Sequence, residues 1–278
     1  MNIGIVGLGL IGGSLARTAK LHTSATVIGC DRDPQTIQQA ILMGAIDREM
    51  APGDIETCDI VLVALYPAAI VRWITDHADQ FKDDALVIDC GGVKQVICDQ
   101  LVPLAKGRKW HFIGGHPMAG RELSGFKYAR DDLFDRASMI LTPMGDEELA
   151  LLQRARDFFM DMGFRRVQFT TPRTHDEMIA YTSQLAHVVS SAYVKCPLAG
   201  QHKGFSAGSF ADMTRVARLS EDMWTELFFD NREALLPEVE GLVTRLAEYR
   251  DALRDNDPER MRQLLREGRE IKERLEDT

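Results

Sequence analysis

The chain has 278 residues, of which 45% are hydrophobic and 27% are charged, and its formal net charge is -9. This composition is typical of a soluble globular protein that is long enough for two domains. The acidic balance argues against a nucleic-acid partner, which requires a basic face. It does not exclude a small anionic substrate, because a local arginine or histidine can outweigh the overall charge.

The termini and the cysteines indicate the compartment. No basic segment precedes the N-terminal apolar stretch, which is interrupted by glycines, so we predict neither a signal peptide nor contact with a membrane. The five cysteines form no Cys-x-x-Cys pair, and their number is odd. We therefore expect free thiols in a reducing cytoplasm, and we assign no metal site.

The first motif is a glycine-rich turn. An apolar run over residues 2–6 predicts a strand, and Gly7-Leu-Gly-Leu-Ile-Gly12 follows it and opens a predicted helix. In this context G-x-G-x-x-G is typical of dinucleotide binding, because the glycines allow a tight turn and close approach of the backbone to a pyrophosphate. The residues that we predict to contact the cofactor here are Gly7, Gly9, Leu10, Ile11 and Gly12.

An acidic residue indicates which dinucleotide binds. A second apolar run over 25–30 ends at Asp31, nineteen residues after Gly12. Its carboxylate can accept hydrogen bonds from the adenosine ribose and would repel a 2′-phosphate, which favours NAD over NADP. Arg32 could weaken that preference by pairing with a phosphate. Leu65, at the end of the next apolar run, completes the predicted cofactor site. The alternative is a turn that binds no nucleotide and carries an incidental aspartate.

Strands and helices then alternate as far as residue 170. We predict strands over 59–65, 85–89, 112–114, 137–142 and 164–169, and helices over 68–81, 93–104 and 146–162. This alternation predicts an α/β fold, a Rossmann-type doubly wound and mostly parallel sheet over residues 1–170.

Residues 171–278 show helical periodicity and no convincing strand. Thr171 and Pro172 predict a helix start, and Asp257 and Pro258 predict another. We expect Pro237 to kink or interrupt the helical span between them. The apolar stripes of these helices predict an all-helical second domain, in which they form a core or a subunit interface.

A second glycine-rich run surrounds a histidine, in Phe112-Ile-Gly-Gly-His-Pro-Met-Ala-Gly120. The glycines permit close approach of a ligand, and Pro117 favours an extended His116, so the run could hold an imidazole at a strand end. The alternative is an ordinary histidine in a turn. The residues expected at strand C-termini, and hence along one crevice, are Gly7, Asp31, Tyr66, Gly91 and His116.

Together these motifs resemble the prephenate/arogenate dehydrogenase family. The matching segments are the G-x-G-x-x-G turn, Gly-Gly-Val-Lys94, the run around His116, Thr-Ser-Gln-Leu-Ala-His187, Phe-Ala-Asp-Met-Thr-Arg215 and Met223-Trp224. The resemblance covers essentially the whole chain. It implies a Rossmann domain, a helical dimerisation domain that makes a homodimer, and NAD-dependent oxidative decarboxylation of prephenate in tyrosine biosynthesis.

The resemblance also implies roles for individual residues. His116 would be the catalytic acceptor of the substrate hydroxyl proton, a role that suits the titration range of histidine. Arg215 would hold a substrate carboxylate, for which a guanidinium is well shaped. The other residues implied to contact the substrate are Glu122, Ser183, His187, Gly208 and Trp224. Taken singly, Arg215 could instead form a surface salt bridge, His187 could be a core histidine and Trp224 a packing residue.

The sequence departs from the family pattern at three positions. Gly92 stands where relatives often carry a serine that bonds the catalytic histidine, so another group must orient His116. Gln184 and Ala211 stand where some relatives have histidine and lysine, which could affect the choice between prephenate and arogenate. Because the chain ends at Thr278 without room for a regulatory domain, we expect any inhibition by tyrosine to act at the active site.

Three other interpretations stay open. A β-hydroxyacid dehydrogenase would need a lysine near a glycine-rich stretch in the first long helix, and residues 174–193 contain neither lysine nor glycine. A non-catalytic NAD-binding regulator is compatible with Gly92. A pure dimerisation scaffold has only the apolar helices in its favour.

Overall fold

A computed structural model describes residues 1–120, 123–143, 145 and 147–276. The chain divides into two compact units, of which the first is Met1–Asn231 and the second begins at Arg232. Among the described residues no helix combines the length and the apolar character that crossing a membrane requires.

Eight strands form the sheet of the first unit. They are β1 Asn2–Val6, β2 Thr26–Cys30, β3 Arg48–Glu49, β4 Ile60–Val63, β5 Leu86–Asp89, β6 His111–Pro117, β7 Ser138–Thr142 and β8 Arg166–Phe169. Their order in space is β3-β2-β1-β4-β5-β6-β7-β8. Neighbouring strands are parallel except β6 and β7, where Gly114 pairs with Thr142 and Pro117 with Met139 in antiparallel register. The predicted mostly parallel, doubly wound sheet is confirmed.

Nine α-helices accompany the sheet in the described part of the first unit. They are α1 Leu10–His22, α2 Pro34–Leu42, α3 Pro67–Asp76, α4 Gln95–Ala105, α5 Leu149–Asp161, α6 Pro172–Ile179, α7 Leu185–Tyr193, α8 Gly208–Thr214 and α9 Glu221–Asp230. A single π-helical turn, Ala180–Gln184, joins α6 to α7. The second unit contains α10 Arg232–Arg254 and α11 Pro258–Glu276.

Two apolar cores lie on opposite faces of the sheet. Leu15 of α1, Ile37 of α2 and Phe159 of α5 belong to one core. Ile70 of α3 and Leu101 of α4 belong to the other. The central strands are buried on both faces, as the continuous apolar run in β4 predicts for a strand inside a parallel sheet.

The strand order reverses direction between β1 and β4. The chain moves outward from β1 to β2 and β3, and then returns to add β4 on the other side of β1. Loops that leave the carboxyl ends of these two strands therefore diverge and open a crevice, which is where doubly wound sheets bind ligands. The glycine-rich turn after β1 lies at this point.

Two local predictions are wrong. The strand that carries His116 does not stop at residue 114, because antiparallel pairing with β7 extends it to Pro117 and places His116 inside the strand. Of the kink or interruption expected at Pro237, the interruption is absent, because α10 continues through this residue to Arg254. The interruption falls at Asn231, between α9 and α10.

The tight packing of Gly115 generates a stability prediction. A Cβ at this position would lie 2.6 Å from the Asp89 carbonyl oxygen, the Ile88 Cγ2 and the Met139 Cε. We expect Gly115→Ala to lower the free energy of unfolding in urea by about 1–3 kcal/mol, because β5 and β6 cannot separate without breaking their ladder. Gly120→Ala is the control, since no heavy atom lies within 4 Å of its Cβ position. Equal stability of the two variants would contradict this packing.

Candidate active site

The glycine-rich turn leaves the N-terminus of α1 open. Gly7 has a positive φ of 84° and its Cβ would lie 2.5 Å from the Ala64 carbonyl oxygen, so only glycine fits. A Cβ on Gly12 would lie 1.8 Å from the Gly7 carbonyl oxygen. Gly9 is the N-cap of α1, provides no side-chain cap and has open space beside it. The first N–H groups of α1 are thus available to an anion such as a pyrophosphate.

The apolar residues predicted to contact the cofactor border this turn. Leu10 and Ile11 are the first two residues of α1; Leu10 is buried and Ile11 is half-buried. Leu65 follows β4, and its Cδ2 would lie 2.7 Å from a Cβ on Gly7. These side chains form an apolar border beside the backbone groups that face the crevice.

Asp31 ties the end of β2 to the glycine-rich turn. Its Oδ2 accepts a hydrogen bond from the Leu8 N–H at 2.8 Å, and its Oδ1 accepts one from the Asp33 N–H at 3.0 Å. Each carboxylate oxygen keeps a further lone pair for a ribose hydroxyl. The neighbouring Arg32 is exposed.

A buried ion pair lies beside β6, the strand that carries His116. The Nζ of Lys94 contacts the Oδ2 of Asp89, and neither side chain is exposed to solvent. Asp89 also accepts the Gly91 N–H at 2.9 Å and the Gly115 N–H at 3.1 Å. One carboxylate thereby joins β5, the loop after it and the residue that precedes His116.

His116 takes part in a chain of hydrogen bonds that reaches α6. Its Nδ1 lies 2.8 Å from the Nε2 of His175, and the Nδ1 of His175 lies 2.7 Å from the Oδ1 of Asp176. His175 and Asp176 are both buried, whereas His116 is half-buried. Asp176 also accepts the N–H groups of Lys94 and Gln95, each at 2.8 Å, and so caps the N-terminus of α4.

Desolvation favours the neutral form of both imidazoles at pH 7. Desolvation, the proximity of His175 and the Lys94 ammonium together hold the pKa of His116 well below its usual value. Desolvation also lowers the pKa of His175, although the hydrogen bond to Asp176 opposes this shift. A neutral His116 has one ring nitrogen able to accept a proton.

The predicted substrate residues of α7 and α9 pack against each other. The rings of His187 and Trp224 stack with centroids 3.9 Å apart. The His187 Nδ1 lies 2.8 Å from the backbone carbonyl oxygen of Ser183, which belongs to the π-helical turn. Since a carbonyl only accepts, His187 donates from Nδ1.

Two further predicted residues stand at the ends of α8. Gly208 begins this helix, with open space beside it, and Arg215 follows its last residue and is exposed. The Ser190 hydroxyl of α7 donates to the Met213 carbonyl oxygen at 2.8 Å, which positions α8 against α7. Glu122 lies outside the described residues.

Helix α9 closes over the loops at the carboxyl ends of β4 and β5. The Ala68 N–H donates to the Glu226 carboxylate at 2.8 Å, and a Cβ on Gly92 would lie 3.2 Å from the Leu227 Cδ2. Gln184 is buried and donates to the Leu227 carbonyl oxygen at 3.0 Å, while it accepts from Asn231 at 2.8 Å. Gln184 therefore links helices through both ends of its amide.

The site includes residues that the sequence reasoning missed, namely Asp89, His175, Asp176 and Asn231. A signal for His175 did exist, because it lies four residues before the buried Ile179 and so shares the inward face of a predicted helix. No local pattern shows that Asp176 caps a helix that begins at residue 95.

Comparison with known proteins gives a consistent result. The family described as "Prephenate dehydrogenase, nucleotide-binding domain" matches residues 15–168, and "Prephenate dehydrogenase, dimerization domain" matches residues 171–267. The chain belongs to the prephenate dehydrogenase family. A relative within it, the prephenate dehydrogenase of Lactococcus lactis subsp. cremoris, is 31% identical over 98% of this chain and 77% of its own length.

Two solved structures share the fold along their whole length. The prephenate dehydrogenase of Aquifex aeolicus, in complex with hydroxyphenyl propionate and NAD+, is 28% identical with a TM-score of 0.86 and covers 100% of this chain and 98% of its own. Synechocystis arogenate dehydrogenase is 25% identical with a TM-score of 0.82 and covers 99% and 100%. Solved structures that share this fold are thus named for either substrate.

The buried pair of Asp89 and Lys94 generates a second stability prediction. We expect Lys94→Met to lower the free energy of unfolding by about 3–5 kcal/mol, because it leaves the Asp89 carboxylate buried without its counter-ion. Lys82→Met is the matched control, since Lys82 pairs with Asp59 at the surface and its loss should cost at most about 1 kcal/mol. Urea unfolding at neutral pH measures both, and similar losses would contradict the structural role of the buried pair.

Proposed function

We propose that this chain is an NAD-dependent prephenate dehydrogenase, which converts prephenate into 4-hydroxyphenylpyruvate and CO2 in tyrosine biosynthesis. The observation that carries the proposal is the state of His116. Its Nδ1 is bonded to His175, it lies on the strand beside the buried pair of Asp89 and Lys94, and its lowered pKa favours the neutral imidazole at pH 7. Membership of the family supports the same reaction.

The residues around the glycine-rich turn fit NAD. The open N-terminus of α1 suits the pyrophosphate, and Asp31 at the end of β2 suits an unphosphorylated ribose. When bound, NAD supplies the nicotinamide that receives the hydride from ring C4 of the substrate. Leu10, Ile11 and Leu65 would exclude water from one side of the cofactor.

His116 performs the proton transfer in this proposal. Its Nε2 accepts the proton of the C4 hydroxyl while the C4–H bond breaks as hydride. The C1–carboxylate bond then breaks, its electron pair enters the ring, and CO2 leaves. His116 returns the proton to the phenolate oxygen, so that no net proton is released. Its lowered pKa keeps the acceptor form available at neutral pH.

We assign substrate contacts to the helical segment. Arg215 binds a carboxylate of the substrate, and the stacked His187 and Trp224 form one wall of its site, with Ser183 and Gly208 nearby. Glu122 stays a prediction for the mouth of the pocket. Arogenate is the alternative substrate, and the exposed Ala211 on α8 is the position that would affect this choice. Gln184 is the weaker candidate, since its amide is used within the protein.

The two parts of the chain have different functions in this proposal. Residues 1–170 bind the dinucleotide, and residues 171–278 bind the substrate and make a homodimer. A cytoplasmic location fits the five free cysteines.

Reduced-cofactor formation tests the function. We expect the purified protein to turn over prephenate with NAD, and to work less well with NADP because Asp31 repels the 2′-phosphate. The assay crosses NAD or NADP with prephenate or arogenate and follows absorbance of the reduced nicotinamide. A preference for arogenate would support the alternative, and NAD binding without turnover of either substrate would support a regulator.

The matched variants are His116→Asn and His111→Gln, which change the two histidines of β6. His116→Asn should keep NAD affinity and lose about 100- to 10,000-fold in kcat, the usual contribution of general base catalysis. His111 lies at the other end of the strand and contacts the surface residue Asp84, so its variant should retain activity. Unchanged turnover of His116→Asn would remove His116 from the mechanism.

The molecular mass of the protein in solution tests dimerisation. Exposed apolar side chains on α10 and α11 include Val243, Leu246, Leu253, Leu265 and Ile271. We expect light scattering to give twice the chain mass of 31.1 kDa, and Leu246→Glu to shift the protein toward monomer because it introduces charge into an apolar interface. Leu42→Glu, at an exposed leucine of α2, is the control. A monomer mass for the unchanged protein would contradict the proposal.

A further inference from the structure

The hydrogen bonds around His116 define which of its nitrogens carries the hydrogen. Asp176 accepts the N–H groups of Lys94 and Gln95, so its carboxylate acts as an acceptor toward α4. The Oδ1 of Asp176, which accepts the Lys94 N–H, also lies 2.7 Å from the Nδ1 of His175. Two acceptors cannot share a hydrogen bond, and His175 must therefore donate from Nδ1.

The same logic continues from His175 to His116. A neutral His175 that donates from Nδ1 has a lone pair on Nε2. The Nδ1 of His116, 2.8 Å away, must then donate to that lone pair. His116 is left with its own lone pair on Nε2, which is the nitrogen that a general base requires.

Gly92 offers His116 no alternative partner. It has no side chain, and a Cβ added there would lie 3.2 Å from the Leu227 Cδ2, so α9 already lies close to this position. His175, by contrast, is buried with its ring edge toward His116, the two ring centroids being 5.0 Å apart at an interplanar angle of 61°.

We propose that His175, held by Asp176, is a positioning residue that fixes the tautomer of His116 and keeps its Nε2 as the proton acceptor. This inference rests on the proposed function of His116 as general base. Asp176 also caps α4, and its carbonyl oxygen accepts a hydrogen bond from Asn231 at 2.9 Å. The tautomer is consequently set by the contact between α6 and the sheet, and not by a residue next to His116 in the sequence.

Two substitutions at His175 separate positioning from packing. His175→Phe keeps a ring of similar shape and removes both nitrogens, so we expect kcat to fall at least about tenfold while KM and NAD affinity change little. His175→Gln retains a carbonyl acceptor within reach of the His116 N–H and should recover most of that loss. The control His111→Gln should leave all three quantities unchanged.

The pH profile of kcat/KM provides a readout that packing alone would not move. The groups that face His116 and His175 are Lys94 and Asp89 from the sheet side and Asp176 from α6. His175 is neutral near pH 7, so its charge acts on the pKa of His116 only after His175 itself has taken up a proton at acidic pH. The protonated His175 then opposes protonation of His116 and holds the pKa of His116 down, and activity is lost as the pH falls through that pKa. A glutamine at position 175 cannot take up this charge, so the acid limb of His175→Gln should move to higher pH. Equal kcat losses in the Phe and Gln variants, with an unmoved acid limb, would overturn the proposal.

Nitrogen-15 NMR of the imidazoles tests the tautomer without any turnover. We expect His116, assigned by the loss of its signals in His116→Asn, to show a protonated Nδ1 and an unprotonated Nε2, and to lose this preference in His175→Phe. A protonated Nε2 in the unchanged protein would overturn the inference. If no substrate is turned over and the spectrum is as expected, the proposed function fails while the assigned tautomer stands.

Discussion

The position of His116 depends on the carboxylate of Asp89. This side chain ends β5, holds the Lys94 ammonium and accepts the backbone N–H groups of Gly91 and Gly115. A buried charge is tolerated only when it is fully paired, so the loop after β5 and the middle of β6 have little freedom to move independently. The strand that presents the imidazole is therefore anchored one residue away from it.

A second carboxylate links the sheet to the helices that follow it. Asp176 caps α4 through two backbone N–H groups, and Asn231 binds the carbonyl oxygen of the same residue. Together with the contact between Leu227 and Gly92, these bonds place α6 and α9 over the carboxyl ends of β4 and β5. The crevice that the topology opens is closed on one side by polar contacts of fixed geometry.

Much of the sheet could be predicted from the sequence, because buried strands such as β4 are continuous apolar runs and the glycine-rich turn has a fixed local role. The extension of β6 to Pro117 could not, since it requires the antiparallel partner β7. The hydrogen-bond partner of His116 lies 59 residues away on another helix, and its role depends on a cap that α4 receives from Asp176. Short-range periodicity contains no information about such long-range pairings.

The π-helical turn between α6 and α7 has a consequence for the register of the site. A π turn holds about one residue more than an α turn, which rotates everything downstream by about 100° around the helix axis. His175 precedes this turn and faces the sheet, while His187 follows it and faces Trp224. The uninterrupted run of α6, the π-helical turn and α7 can thus present two imidazoles on different sides of its axis. Loss of one residue from Ala180–Gln184 would separate His187 from Trp224 without disturbing His175.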